Sequence, residues 1–170
     1  MITDCCTKEE STGDGNRNKV TAESCQGCGN QGAPVSRKTI LLMLQPHLLE
    51  EASTGAYRFC GAPDCPTVYF EENGSRVFTT DDLRVTVGLK TKTDPIAACY
   101  CFGFDEHHLR DEIVERGNTT IPERISSLIR EGLCACDSRN PSGNCCLGEV
   151  NRTVKRLNQI LLDSRLNSRV

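Results

Sequence analysis

Apolar residues recur along this chain at two spacings, and each spacing predicts a kind of element. Ile40, Leu41, Leu44, Leu48 and Leu49 are spaced for a helix within 36–52, which Pro46 kinks or ends near Gln45. Residues 67–70 read as a strand, 71–75 as a turn and 76–78 as the returning partner of a hairpin. Apolar and polar residues alternate over 82–89, which predicts a third strand, and 90–95 then reads as a linker.

Beyond the linker the period changes to that of helices. Asp105 is a good N-cap for a helix over 106–116, with Leu109 and Ile113 on its inner face and Gly117 at its end. Thr120 is placed to cap a second helix that carries Pro122 in its first turn. Its apolar stripe is Ile121, Ile125, Leu128 and Ile129, and Gly132 ends it. A last helix is predicted over 148–162, where Val150, Val154, Leu157 and Leu161 follow a 4-3-4 spacing that suits a packing face or the seam of a homodimer.

The fold class these elements predict is α+β: a small hairpin- or ribbon-like unit followed by a helical module. The expected organisation is a disordered polar tail over 1–20, an α+β unit over 21–94, a helical module over 95–150 and a C-terminal helix over 151–170, the middle two being the zinc-binding and [2Fe–2S]-binding units once their cysteines, below, are counted. Composition favours two small units over one large core, since 37% of residues are apolar, 5% are aromatic and Trp is absent.

Twelve cysteines in 170 residues carry the chemistry. The polar N-terminus shows no signal peptide and the longest apolar run, 40–44, is far too short to span a membrane, so the expected setting is the reducing cytoplasm, with no membrane insertion. There, closely spaced cysteines are metal ligands or redox thiols rather than disulfides. The net charge of −3 argues neither for nor against nucleic acid, and no nucleic-acid partner is expected. A basic feature is local to the last twenty residues: Arg152, Lys155, Arg156, Arg165 and Arg169.

Cys25-Gln26-Gly27-Cys28-Gly29 has the spacing of a zinc knuckle, in which both sulfurs face one ion and the glycines permit the tight turn. Cys60 and Cys65 supply the partner pair, about thirty residues on. Four thiolates leave no open position for water, so the zinc held by Cys25, Cys28, Cys60 and Cys65 would be structural. His47 reads as a surface residue. Cys5-Cys6 is either incidental or a hook for a soft ion.

The stretch 99–146 gathers six more cysteines: Cys99 and Cys101, Cys134 and Cys136, and Cys145 and Cys146. Two thiolates one residue apart can hold one iron from a single loop, and a second group, returned by a helical hairpin, can hold the other. Four thiolates are what a [2Fe–2S] centre requires. His107 and His108 lack the Cys-x-His setting of a Rieske-type centre and are expected to face solvent.

The segments CYCFGFDEHHLRDEI, REGLCAC and NPSGNCCLGEV resemble the bacterioferritin-associated-ferredoxin-like [2Fe–2S] domain. More closely, and with FCGAPDCPTVYF and LRVTVGL, they resemble the N-terminal zinc and [2Fe–2S] region of CopZ-type copper chaperones over about 25–150. The resemblance implies Cys99, Cys101, Cys136 and one of the vicinal pair as cluster ligands, with Cys146 favoured over Cys145. Cys134 and the other vicinal cysteine are then spare thiols. Full-length members continue into a Met-x-Cys-x-x-Cys metal-binding domain, and nothing here matches it.

No nucleotide loop, Ser-His-Asp set or pair of acid and base carboxylates stands out, so electron transfer or metal handling is expected before classical enzyme chemistry. The leading reading is a one-electron redox protein tied to copper or another thiophilic metal ion, working with a redox partner protein. The alternatives are a non-catalytic metal or redox sensor, and a structural protein whose second cysteine set also binds zinc.

Overall fold

The computed structural model describes residues 22–167. The tail over 1–20, with Cys5 and Cys6, lies outside the described residues. Four antiparallel strands form a meander: β1 (Ala33–Val35), β2 (Tyr57–Phe59), β3 (Thr67–Glu71) and β4 (Val77–Thr79). Helix α1 (Arg37–Met43) follows β1, opened by Ser36, whose hydroxyl accepts from the Thr39 amide. The helix stops at Leu44, and Pro46 begins a separate 3-10 turn, Pro46–Glu51. A proline has no amide proton to continue the ladder and disfavours helical backbone in the residue before it.

The core of this unit joins Ile40, Met43 and Leu44 of α1 and its end to Tyr57, Phe59, Val68, Tyr69 and Phe78 of the sheet. Phe70 packs instead with Cys25, Cys60 and Cys65. Tyr69 and Phe70 are successive and point to opposite faces, so β3 serves the core with one and the cysteine loops with the other, while an irregularity between Thr67 and Tyr69 breaks the alternation at Val68.

The expected strand over 82–89 does not form. Asp82 is drawn into a capping box, its carboxylate accepting from the Thr79 amide at 2.6 Å, and Thr80–Asp82 becomes a 3-10 turn. Leu83 makes a single bridge to Leu44, and Arg84 donates to the Leu44 carbonyl. The chain then turns again at Gly88–Lys90. Two small strands of this unit, β1 and β2, have no counterpart in the sequence pattern, because they carry three residues each, too few for a period to be read.

The second unit opens with a ribbon, β5 (Ala97–Cys99) and β6 (Phe104–Asp105), joined by a turn that holds Tyr100 and Cys101. Helix α2 (Glu106–Arg116) begins at Asp105, whose carboxylate accepts from the His108 amide at 3.0 Å, and ends at Gly117 with φ of 79°. Helix α3 (Ile121–Arg130) returns antiparallel. Thr120 does not cap it with its side chain; its amide donates to Glu112, which also accepts from the Thr119 hydroxyl and so pins the interhelical turn. A four-residue helix, α4 (Cys136–Arg139), precedes the long α5 (Leu147–Asn167).

Leu109, Ile113, Ile121 and Ile125 form the core here with Val150 and Leu157 of α5, and Val154 and Leu161 pack at its edge. Of the two roles open to the α5 stripe, packing on its own unit is the one observed. Arg152 pairs with Glu149, and Arg156 with the buried Glu106, so two of the basic residues near the C-terminus are spent within the fold.

The two units are fastened directly to each other. The Tyr69 hydroxyl, fully buried, donates to the Pro141 carbonyl at 2.7 Å, and the Thr39 hydroxyl donates to that of Asp137. The loop that carries the later cysteines therefore rests on α1 and β3.

Candidate metal centres

The register of β1 on β2 pairs Ala33 with Phe59, so the start of β1 and the end of β2 lie at the same edge of the sheet. The first cysteine turn enters β1, and the second leaves β2. Sheet pairing thus brings together two loops that are far apart in sequence. A bridge between Ser24 and Gln31 closes the first turn, with the Cys25 amide donating to the Asn30 carbonyl at 2.8 Å.

Cys25, Cys28, Cys60 and Cys65 come together with their sulfurs all within 4.8 Å of one another. The short edges are Cys25–Cys65 at 3.9 Å and Cys28–Cys60 at 3.6 Å. A tetrahedral zinc with bonds of about 2.3 Å requires sulfur edges near ~3.8 Å. The donor set, its number and its size all fit that ion. Three of the four sulfurs belong to buried residues, and Cys28 is exposed.

Burial acts to raise Cys25, and amides of Gly27 and Cys28 aimed at its sulfur outweigh it, leaving the thiol lowered to about 7. Cys60 is pushed up to about 12 chiefly by burial, with the Lys90 charge acting the other way. A Cβ on Gly27 would come within 3.0 Å of Thr67 Oγ1 and 3.2 Å of Cys65 Sγ, so the two turns approach closely there and a larger residue would have to push them apart.

Arg58 fastens the assembly and was not visible as a special residue in the sequence, where it sits between two aromatics of a short strand. It is buried, and donates to Glu23 and Glu72 at 2.6 Å each and to the Gly32 carbonyl at 2.8 Å. Arg58→Met keeps an apolar stem and strands three acceptors. A loss of about 2 kcal/mol is expected, below the cost for a fully buried pair because Glu23 is half-exposed. Urea unfolding of the zinc-loaded protein measures it; an unchanged midpoint would remove Arg58 from this role.

The second cysteine set has a different shape. Cys146 Sγ lies 2.9 Å from Cys99 Sγ, and Cys101 Sγ lies 3.5 Å from Cys136 Sγ. No second group of three or more ligand residues among the described residues draws together as the zinc set does. The sulfurs form two pairs, not one tetrahedron. The short contacts also run across the hairpin, from β5 and its turn to α4 and the start of α5, rather than within the Cys99–Cys101 loop. Cys99 ends the strand while Cys101 sits in the turn that reverses it, which sends the two sulfurs to different partners.

The Cys146 thiol donates to Cys99, which is thereby lowered to about 6, and Cys146 is raised because it holds the proton that the pair shares. Burial pushes Cys136 up to about 12. The Ala135 amide points at Cys101 Sγ from 3.4 Å, and Cys99 receives amides of Phe102 and Cys101. Cys99, Cys101 and Cys146 are buried, Cys134 and Cys136 half-buried, and Cys145 exposed. His47, His107 and His108 are all exposed; His107 pairs with Asp111, and His108 with Asp105.

Comparison with known proteins adds to this picture. Residues 22–84 match the family model of a CopZ-type zinc binding domain. The chain is similar to the copper chaperone CopZ of Archaeoglobus fulgidus, 29% identical over 128 residues, which is 75% of this chain and 60% of that protein. It thus spans less than two thirds of that relative. Among solved structures, the X-ray structure of the Archaeoglobus fulgidus CopZ N-terminal domain matches with a TM-score of 0.62 at 27% identity, over 76% of this chain and 95% of that one. The mixed architecture with a small antiparallel sheet is shared, and the four-cysteine site falls within the matched zinc region.

Proposed function

We propose that this chain is a zinc-stapled [2Fe–2S] protein that passes single electrons in the handling of copper or another thiophilic metal ion. The observation that carries the reading is the two sulfur pairs, Cys99 with Cys146 and Cys101 with Cys136, at the open end of the helical hairpin. Two pairs suit a two-iron core, for which four thiolates are the usual ligands, better than a second single ion. Similarity to the N-terminal domain of a copper chaperone supports the metal-handling part.

The residues that would hold such a cluster are Cys99, Cys101, Cys136 and Cys146. When bound, a [2Fe–2S] centre supplies one-electron chemistry. The chain's own groups do the rest: amides of Cys101, Phe102 and Ala135 stabilise negative charge on the sulfurs, and the apolar packing of Leu109, Ile125 and Val150 shields them from water. The cargo is a soft cation, since thiolates prefer Cu(I) to harder ions. The proposed setting is the cytoplasm, and the proposed partners are a redox protein and the metal ion itself. Among the described residues no helix is long and apolar enough to cross a membrane.

Protein purified without air is expected to be red-brown, with iron, sulfide and zinc near about 2:2:1. It should be reducible by one electron to a rhombic EPR signal, and then oxidised by Cu(II). Cys99→Ser should bleach it and leave its zinc. Colourless protein holding about two zincs would overturn the reading, and a cluster that never reacts with Cu(II) would reduce it to a metal or redox sensor.

A further inference from the structure

Between the two metal-ligand sets runs a short segment that the sequence presents as the end of a strand and the first residue of a linker. Lys90 Nζ donates to the Ala62 carbonyl at 2.7 Å and to the Cys65 carbonyl at 2.9 Å, so it clamps the loop that presents Cys60 and Cys65. Two residues earlier the Gly88 amide donates to the Tyr100 hydroxyl at 2.7 Å, and that hydroxyl donates to the Thr86 carbonyl at 3.2 Å. Tyr100 stands between Cys99 and Cys101. The backbone of Gly88 also lies against Ala97, where a Cβ would overlap the carbonyl oxygen and come within 2.9 Å of its carbon. The amide of Lys90 closes the turn on Val87 at 2.8 Å, which makes the segment a compact 3-10 turn and not a free connector.

We propose that the Gly88–Lys90 turn is a strut through which the zinc loop positions the Cys99–Cys101 loop, with Lys90 and Tyr100 as positioning residues at its two ends. Lys90 hydrogen-bonds to the zinc loop; Tyr100 is flanked by the second set and hydrogen-bonds to Gly88 of the turn and to Thr86 just before it. Ordering at either end limits motion at the other, and such a coupling is reciprocal. The proposal rests on the reading of Cys99 and Cys101 as cluster ligands only for its purpose, because the coupling itself is a property of the loops.

The test uses the full chain, zinc-loaded, and reads amide hydrogen exchange over 97–101. Lys90→Met is expected to speed exchange there about tenfold, the part of two charge-assisted hydrogen bonds that reaches the second loop through the turn, and Lys90→Arg to restore most of it. Lys92→Met removes an exposed ammonium that pairs with the exposed Asp64, and should change nothing. From the other end, Tyr100→Phe should speed zinc release to a chelator about fivefold, although it touches no zinc ligand. Exchange over 97–101 unmoved by Lys90→Met, or moved as much by Lys92→Met, overturns the strut, as does an unaltered zinc release rate in Tyr100→Phe. Iron analysis of the same samples is separate: coupling without iron sinks the cluster and leaves the strut, and iron without coupling does the reverse.

Discussion

Cys60→Ser is expected to abolish zinc binding and with it the folded state of the first unit. Cys60 is wholly buried, between the end of β2 and the start of β3, and its amide donates to the Val68 carbonyl at 2.9 Å. A serine there removes one of four thiolates and leaves a hydroxyl in a dry site. Structural zinc contributes on the order of 10 kcal/mol to small domains of this kind, comparable with the whole stability of a typical domain. The packing at the site itself could not replace that contribution, since the cluster there holds a single aromatic ring, Phe70, and few other side chains. The check is zinc content together with near-ultraviolet circular dichroism from Tyr57 and Tyr69. A variant that kept one zinc per chain and the parent melting temperature would take the site out of this account.

Gly88→Ala is the next largest effect expected. The clash of the new methyl would be with the Ala97 backbone, which cannot swing aside as the end of a long side chain can. Overpacking costs reach about 3 kcal/mol, and a rigid obstacle puts this substitution at that end. For a chain of this length the melting temperature should fall by about 10 °C. Calorimetry of the metal-loaded protein measures it, and a melting curve that overlays the parent's would show that the turn and β5 can part without cost.

What could be read from the residues follows from how local each signal is. The Cys25 and Cys28 pair, and the Cys60 and Cys65 pair, are legible because a chelating turn is fixed by residues within six positions. The helices α2 and α3 are legible from stripe and terminators: Asp105, Gly117 and Pro122 each act on the neighbouring backbone. Strands β1 and β2 are not, because Ala-Pro-Val and Tyr-Arg-Phe become strands only when the cysteine turns are brought to one edge. The alternation over 82–89 misled because Asp82 and Arg84 are engaged by Thr79 and Leu44, partners that no local pattern reveals. In the second cysteine set the six candidates are plain in the sequence, whereas the pairing of sulfurs across the hairpin depends on where the β5–β6 turn aims each one. Arg58, Lys90 and Tyr100 act through partners distant in the chain, and for them the sequence holds no signal.

The exposure of Cys28 beside three covered sulfurs has a kinetic meaning. A competing chelator or an electrophile arriving from bulk water would meet that residue before the three covered ones. The corner of a bound ion at Cys28 would therefore be the one that the fold leaves open to attack from solvent.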